Sequence, residues 1–292
     1  MTDDPWELSQ AMIDEAVRMT LLVDNEGPAD LTVEHGFSIW IESGEQRILF
    51  DTGQGAALEP NALRLGIDLS LANTLVLSHG HYDHTGGVAR VLALNSHTRV
   101  LFGRGLGTPR FSCHPGHATR AIDIGDTVRH ALRDLPAQRQ CEITVPCFLA
   151  PSIGISGPIP RLSAFEDTGG PFFLDPEQHH PDGIVDELAM WFETRHGLVV
   201  LTGCCHAGLV NTIRHVRTFS GIERVHAIIG GLHLLNASTE RLKQTIDFIA
   251  DCAPDYLIPC HCTGKHVVEQ LQQIFGSERV KSGQAGQQYV LG

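Results

Sequence analysis

The stretch Leu75-Val76-Leu77-Ser78-His79-Gly80-His81-Tyr82-Asp83-His84-Thr85-Gly86-Gly87 decides the fold of this chain. An apolar run, predicted as a buried strand, leads directly into four side chains that can bind a metal ion. Residues i and i+2 of an extended segment point the same way, so His79 and His81 can share one ion. Asp83 and His84 lie on the following turn and can hold a second. Because imidazole and carboxylate suit a borderline cation such as zinc, the stretch predicts a metal site at a strand end.

The composition is that of an ordinary globular protein. Of the 292 residues, 42% are hydrophobic and 19% are charged. The formal charge of −13 argues against nucleic acid or an anionic membrane as a partner. No apolar run reaches the ~18 residues of a spanning helix, and the N-terminus lacks the features of a signal peptide. We therefore expect a cytoplasmic protein with free cysteines and a small-molecule substrate, and we leave homo-oligomers open.

Hydrophobic periodicity predicts strands and helices that alternate along the chain. An amphipathic helix is predicted within residues 1–19 and a buried strand at Thr20–Asn25. Helices and strands then alternate after the histidine cluster, up to a final strand at Gln288–Leu291. Residues 103–181 carry Gly, Pro, Cys and His in irregular order, and we interpret them as strands plus an excursion that covers the site. The pattern favours one layered α/β domain over residues 1–292.

The motif His-x-His-x-Asp-His at residues 79–84 resembles the hallmark of the metallo-β-lactamase superfamily. The segment Leu49-Phe50-Asp51-Thr52-Gly53 precedes it, as the pattern of that family requires. The resemblance implies an αββα four-layer sandwich, in which two mixed β-sheets are flanked by helices and the metals lie at the edge between the sheets. It also implies that Asp51 orients a metal-binding histidine.

Further segments are similar to a branch of this superfamily that is named after 7,8-dihydropterin-6-methyl-4-(β-D-ribofuranosyl)-aminobenzene-5'-phosphate synthase. They cover the chain from about residue 20 to its end. The similar segments are Val23-Asp24-Asn25, Glu34-His35-Gly36-Phe37-Ser38, Ser156-Gly157-Pro158-Ile159-Pro160-Arg161, Leu201-Thr202-Gly203-Cys204-Cys205-His206-Ala207-Gly208, Gly230-Gly231-Leu232-His233-Leu234 and Pro259-Cys260-His261-Cys262-Thr263-Gly264.

The resemblance implies two more metal ligands. His206 would join the first two histidines of the motif, and His261 would join its last two residues. The resemblance thus implies two bound divalent metal ions, and zinc is favoured over manganese or iron. Many members of the superfamily end the strand before the metal with Gly-Asp, whereas this chain has Gly203-Cys204. Cys204 either binds a metal as a thiolate or only lines the site, and the sequence leaves both readings open.

Three other residues are candidates for contact with a substrate. His233 follows Gly230-Gly231 at a predicted strand end, and we assign it to substrate contact or proton transfer, with a core histidine as the alternative. Arg161 and Glu166 can reach the site from the excursion. The planar guanidinium of Arg161 could bind a phosphate or carboxylate, although an ordinary surface ion pair is an equal alternative.

The expected function is a binuclear metal-dependent hydrolase. A metal-bound hydroxide would attack a phosphoester or a related ester, lactone or amide. Asp83 would bind metal and orient the hydroxide, and His233 would protonate the leaving group. One alternative is a synthase or transferase that acts on a pterin and an aminobenzene ribofuranosyl phosphate with diphosphate as leaving group, although the aromatic content of 6% weighs against it. Another alternative is a non-hydrolytic redox enzyme that binds iron with the same ligands.

Overall fold

Two facing β-sheets form the centre of the computed structural model, which describes residues 16–292. The first sheet contains, in spatial order, β16 (Gln288–Leu291), β1 (Val17–Val23), β2 (Ser38–Ser43), β3 (Gln46–Phe50), β4 (Thr74–Leu77), β5 (Arg99–Gly103) and β8 (Gln140–Ile143). The second contains β15 (Tyr256–Cys260), β14 (Val225–Gly231), β13 (Gly197–Thr202), β12 (Met190–Thr194), β10 (Ile153–Ile155) and β9 (Cys147–Ala150). A small third sheet contains β11 (Phe172–Phe173), β6 (Phe111–Ser112) and β7 (Arg120–Ala121).

Helices cover the outer faces of both large sheets. They are α1 (Leu58–Arg64), α2 (Tyr82–Thr85), α3 (Val88–Leu94), α4 (Gly125–Asp134), α5 (Leu209–Ser220), α6 (Thr239–Cys252) and α7 (Lys265–Phe275), with 3-10 turns at Leu69–Leu71, Ala137–Arg139 and His261–Thr263. Apolar residues of α1, α3 and α4 pack on the first sheet, and those of α5, α6 and α7 pack on the second. The four layers confirm the predicted αββα sandwich.

The position of strand β4 inside the first sheet explains why residues 75–77 are all apolar. Val76 faces the core between the two sheets, whereas Leu75 and Leu77 face the helices that cover the first sheet. Side chains alternate between the two faces of a strand, so a strand in this position is buried on both sides. Burial on both sides of β4 explains the continuous apolar run before the histidine cluster.

Parallel pairing brings the functional loops to one edge. β3, β4, β5 and β8 are parallel neighbours in the first sheet, and β13, β14 and β15 are parallel neighbours in the second. The remaining pairs in both large sheets are antiparallel, so both sheets are mixed. Because parallel strands end at the same edge, the segments that follow β3, β4, β13, β14 and β15 meet there.

One prediction about local structure needs correction. The predicted N-terminal helix lies mostly outside the described residues, but its end at residues 17–19 belongs to β1. Val17, Met19 and Leu21 all face the core between the sheets, which is the period of a strand. Residues 103–181 contain strands, as predicted, and supply β8 to the first sheet and β9 and β10 to the second. The single-domain assignment stays a prediction. Among the described helices, none is long and apolar enough to cross a membrane.

Candidate metal centre

The segment after β4 carries the first set of predicted ligands into the interior. His79 Nε2 lies 2.9 Å from His81 Nδ1. His206, which follows β13 in the other sheet, approaches the same point, so that the three residues offer ligand atoms within 4.8 Å of one another. All three are buried. The structure therefore brings together the three histidines that were predicted to share one ion.

The second predicted set surrounds the carboxylate of Asp83. Its Oδ2 lies 3.8 Å from His84 Nε2 and 3.5 Å from His261 Nε2. His35 Nε2 lies 3.2 Å from the same oxygen, and sequence reasoning did not select this histidine. Its signal was present, because His35 lies in one of the segments that resemble the synthase branch. His84 Nε2 is also 3.1 Å from the thiol of Cys204, so this histidine lies between the two sets.

The outer nitrogens of three predicted ligands are held by fixed acceptors. The pairs are His84 Nδ1 with Asp51 Oδ2 at 2.7 Å, His206 Nδ1 with the carbonyl oxygen of Thr168 at 2.7 Å, and His261 Nδ1 with Asn25 Oδ1 at 2.9 Å. In the described part of the chain, the buried Nε2 atoms of His81, His206 and His261 have no hydrogen-bond partner. Outer bonds of this kind are how proteins orient histidines toward a metal, and the unpartnered Nε2 atoms of His206 and His261, on the opposite side of each ring from these bonds, fit one.

The protonation of most candidate ligands suits metal binding, and His84, which would have to lose a proton to bind a metal ion, is the exception. Burial lowers the pKa of His79, His81 and His206 well below the usual value, which keeps these imidazoles neutral. Burial opposes ionisation of Asp83, but the neighbouring histidines outweigh it and hold its pKa well below the usual range. Burial also opposes the charged form of His84, but the Asp51 and Asp83 carboxylates raise its pKa to about 9. Neutral imidazoles and an ionised carboxylate are the forms that bind metal ions.

Asp51 occupies the position that the resemblance gives to an orienting carboxylate. It is buried, and it accepts hydrogen bonds from Ser78 N at 2.7 Å and Ser78 Oγ at 2.6 Å. Its backbone has a φ of 59°, a left-handed conformation that is uncommon outside glycine. Strained backbone of this kind persists only where the surrounding structure fixes it. Here it turns the carboxylate from the end of β3 toward β4 and His84.

Two cysteine thiols lie among the candidate ligands. Cys204, Cys262 and His261 offer ligand atoms within 4.8 Å of one another, and both cysteines are buried and free. Cys262 was not a predicted ligand, although it directly follows His261 in the sequence. Burial raises the pKa of the Cys204 thiol well above the usual value. The positions of the sulfur atoms allow Cys204 to reach a metal, with Cys262 beside it.

His233 also lies against the cluster. The centroid of its ring is 4.3 Å from that of His206, and its buried Nδ1 has no hydrogen-bond partner among the described residues. Its φ of 46° turns the side chain back toward the site after β14. The core histidine considered as an alternative does not fit, because His233 lines the cavity above the candidate ligands.

The structure does not support substrate contact by Arg161 or Glu166. The guanidinium of Arg161 donates to the carbonyl oxygens of His206 and Gly183. Glu166 accepts hydrogen bonds from the backbone N–H groups of Val210 and Asn211, at the start of α5, at 2.8 and 3.0 Å. Both side chains therefore bind backbone groups at or near His206, and Arg161 also binds Gly183. Neither side chain lines the cavity.

A cavity of about 430 Å³ opens above the cluster. Asp83, Cys204 and His261 reach it from the candidate metal centre, and Phe172 reaches it from the small third sheet. The remaining described residues that line it are Asn25, His35, His81, Tyr82, Ser112, His114, His117, Ala118, Arg120, Ile122, His233, Leu235, Asn236 and Cys262. The small sheet is thus the part of residues 103–181 that covers the site.

Comparison with known proteins supports the resemblance to the metallo-β-lactamase superfamily. The model of the metallo-beta-lactamase superfamily matches residues 31–104, which include the histidine motif. A solved metal-dependent hydrolase of the β-lactamase superfamily superposes with a TM-score of 0.78 at 26% identity, over 94% of this chain and 98% of that one. The chain is therefore similar to the metallo-β-lactamase superfamily in both sequence and fold. The superfamily is one of metal-binding proteins, and the structure of this chain contains clusters of His, Cys and Asp side chains that could hold metal ions.

Two archaeal relatives match nearly the whole length. The 7,8-dihydropterin-6-methyl-4-(beta-D-ribofuranosyl)-aminobenzene-5'-phosphate synthase of Methanocaldococcus jannaschii is 29% identical over 86% of this chain and 88% of its own. An uncharacterised protein of the same organism is 28% identical over 87% of this chain and 93% of its own. The chain is therefore similar to the branch that its sequence segments indicated.

These relatives correct the predicted activity. The expected hydrolase is wrong, because the relative with a named reaction is a synthase. The description of the solved neighbour as a hydrolase belongs to that protein, whose identity to this chain is slightly lower. The error has a physical reason: the same metal ligands on the same fold support different reactions, so the ligand motif does not determine which bond is made or broken.

Proposed function

We propose that this protein is a metal-dependent synthase that transfers a dihydropterin-6-methyl group to an aminobenzene ribofuranosyl phosphate. The similarity to the archaeal synthase over 86% of the chain carries the proposal. In the reaction, the amine nitrogen attacks the pterin methylene carbon and a C–N bond forms. The C–O bond to diphosphate breaks, diphosphate leaves with the bonding electrons, and the amine loses one proton.

The candidate metal centre provides ligands for two divalent ions. We assign His79, His81 and His206 to one, and Asp83, His84 and His261 to the other, with Cys204 between them. Zinc suits this mixture of imidazole, carboxylate and thiolate better than manganese, and iron is also compatible with it. When bound, the ions supply positive charge that stabilises a diphosphate leaving group.

The residues around the centre perform the other tasks. We assign to His233 the proton that the amine loses, because His233 lines the cavity and its Nδ1 has no hydrogen-bond partner among the described residues. The ring of Phe172 lies 5.8 Å from that of His233, at an angle of 77°, and the two rings present flat, largely apolar surfaces to the cavity. A planar pterin ring can stack on the face of one of these rings that is turned toward the cavity. The low overall aromatic content therefore does not exclude a pterin, because Phe172 and Tyr82 line the cavity.

A coupling assay tests the proposal. Metal-loaded protein is incubated with 6-hydroxymethyl-7,8-dihydropterin diphosphate and 4-(β-D-ribofuranosyl)aminobenzene 5'-phosphate, and mass spectrometry follows the coupled product. We expect equal amounts of product and diphosphate, and loss of product formation in His81→Ala. The matched control is His179→Ala, because His179 is exposed and lies outside the cavity. Release of diphosphate at the same rate with and without the amine, and no coupled product, would contradict the proposal.

A further inference from the structure

We propose that Arg120, with His114 and His117, forms a binding subsite for a phosphate monoester on the cavity wall. All three residues belong to the hairpin of β6 and β7. This inference deepens the proposed function and depends on it for the identity of the phosphate, which we assign to the ribose 5'-phosphate of the amine substrate.

The charge of the cavity wall differs from that of the whole protein. The chain carries a formal charge of −13. Among the described residues that line the cavity, however, Asp83 is the only carboxylate and Arg120 is the only lysine or arginine. The carboxylate of Asp83 already faces His35 at 3.2 Å and His261 at 3.5 Å. The one carboxylate among these residues thus faces histidines, and no ion pair engages Arg120 in the described part of the chain, which favours an anionic ligand.

Arg120 is available for such a ligand. In the described part of the chain its guanidinium forms no ion pair, whereas the buried Arg110 on the same hairpin is paired with both Asp182 and Asp186. Arg120 is exposed and lies beside the side chain of Tyr82. A guanidinium with free N–H groups in a fixed plane can bind two oxygens of a phosphate at once.

Hydrogen bonds attach the hairpin to the metal-binding turn. Ile122 N donates to the carbonyl oxygen of Arg110 at 2.8 Å, and Tyr82 N donates to the carbonyl oxygen of Ile122 at 3.0 Å. Tyr82 lies between the candidate ligands His81 and Asp83. The position of Arg120 is therefore fixed relative to the candidate metal centre through only a few bonds.

A buried ion pair makes a second attachment. Asp186 Oδ2 accepts a hydrogen bond from Arg110 Nη1 at 3.0 Å and another from Gly80 N at 2.8 Å. Gly80 lies between His79 and His81. A side chain at Gly80 would clash, because an added Cβ would lie 2.1 Å from the carbonyl oxygen of Leu106. The hairpin of β6 and β7 and the turn that carries His79–His84 are thus packed as one unit. A binding site formed by the hairpin and the metal centre together requires such rigid packing.

The two histidines add hydrogen-bond donors to the same cavity wall as Arg120. His114 and His117 lie in the loop between β6 and β7, are exposed, and line the cavity. The N–H of His117 donates to the carbonyl oxygen of His114 at 3.1 Å, which closes a turn and keeps the two residues together. Each imidazole can donate one hydrogen bond to a phosphate oxygen. A monoester phosphate offers enough oxygens for all three side chains.

The proposal assigns the two anions of the reaction to different places. The metal ligands at the base of the cavity would receive the diphosphate, and the hairpin would receive the phosphate of the amine substrate. Binding is tested on metal-loaded protein by isothermal titration calorimetry with ribose 5-phosphate and, separately, with diphosphate. The variants are Arg120→Ala, Arg120→Lys and the control Arg195→Ala. Arg195 is an exposed arginine in the turn between β12 and β13, outside the cavity.

We expect Arg120→Ala to weaken ribose 5-phosphate binding about tenfold or more, as loss of a charged hydrogen-bonding partner does. Arg120→Lys should restore part of the affinity, and Arg195→Ala should bind like the wild type. Diphosphate affinity should change much less. Unchanged ribose 5-phosphate affinity in Arg120→Ala overturns the subsite, and a loss confined to diphosphate overturns its assignment to the monoester.

The measurement separates this inference from the proposed function. Weakened ribose 5-phosphate binding without any coupling activity would support the subsite and contradict the synthase. Coupling activity with unchanged binding in Arg120→Ala would support the synthase and contradict the subsite.

Discussion

Asp51 Oδ2 lies 2.7 Å from His84 Nδ1, and both side chains are completely buried. The two residues are 33 positions apart and come from the ends of neighbouring parallel strands, β3 and the segment after β4. Ser78, which donates to both carboxylate oxygens, leaves Asp51 one orientation. Asp51 therefore determines that His84 presents Nε2 to the cluster.

Replacing Asp51 by asparagine should weaken metal binding without removing a ligand. The asparagine amide has a single oxygen, so it cannot accept all the hydrogen bonds that Ser78 and His84 make to the two carboxylate oxygens of Asp51. The imidazole of His84 then loses its fixed orientation. Changes of this kind cost about ten- to a hundredfold in metal affinity. Competition with a chromogenic chelator measures the affinity. The control is Asp30→Asn, an exposed carboxylate paired with Arg64. Equal affinities for Asp51→Asn and the wild type would contradict the role of Asp51.

Cys204 should bind metal as a thiolate. Its sulfur is 3.1 Å from His84 Nε2 and within reach of His261 and Cys262. Protein loaded with Co²⁺ should show thiolate-to-cobalt absorption in the near ultraviolet, and Cys204→Ser should lose most of it. Cys141→Ser is the control, since Cys141 is a free thiol on β8 that does not line the cavity. An unchanged spectrum in Cys204→Ser would show that this thiol is not a ligand.

The two predicted ligand sets should respond separately to substitution. His206→Ala removes a ligand from the first set, and His261→Ala removes one from the second. Each variant should retain about one metal ion per chain where the wild type retains two. Plasma mass spectrometry after dialysis gives the ratio, with His179→Ala as the control. Retention of both ions in either variant would argue against that assignment.

Arg110 should be important for stability. Its guanidinium is buried and contacts Asp182 and Asp186, so Arg110→Met leaves two buried carboxylates without their partner. Breaking a buried pair in this way costs about 3–5 kcal/mol. The control Arg104→Met removes an exposed pair with Glu142 and should cost about 1 kcal/mol or less. Urea unfolding of both variants measures the difference, and similar losses in the two would contradict the prediction.

The fold and the centre of the site could be predicted because their signals are local in the sequence. The apolar run of β4 and the four ligands of residues 79–84 are contiguous, and the strand geometry converts their spacing into proximity. The resemblance to the superfamily followed from the same motif and was confirmed. The helix prediction at residues 17–19 was wrong because apolar residues at Val17, Met19 and Leu21 also fit a strand, and packing against the second sheet decided between the two periods.

Other parts of the site depend on contacts that spacing does not show. Arg161 binds a carbonyl oxygen 45 residues away, and Glu166 binds backbone N–H groups at a similar separation. Backbone partners have no sequence signature, so both residues were interpreted through their charge alone. Arg120 was not selected because its importance arises from the other residues around the cavity, most of which are neutral.

The contact between the two ends of the chain has a consequence for synthesis of the protein. His261 N donates to Asp24 Oδ1 at 2.8 Å, across 237 positions, and the ring of His261 is held by the neighbouring Asn25. During translation, the second candidate metal position therefore stays incomplete until residue 261 has been synthesised and has packed against the segment after β1. A chain truncated before residue 261 would contain the first set of candidate ligands but not the second.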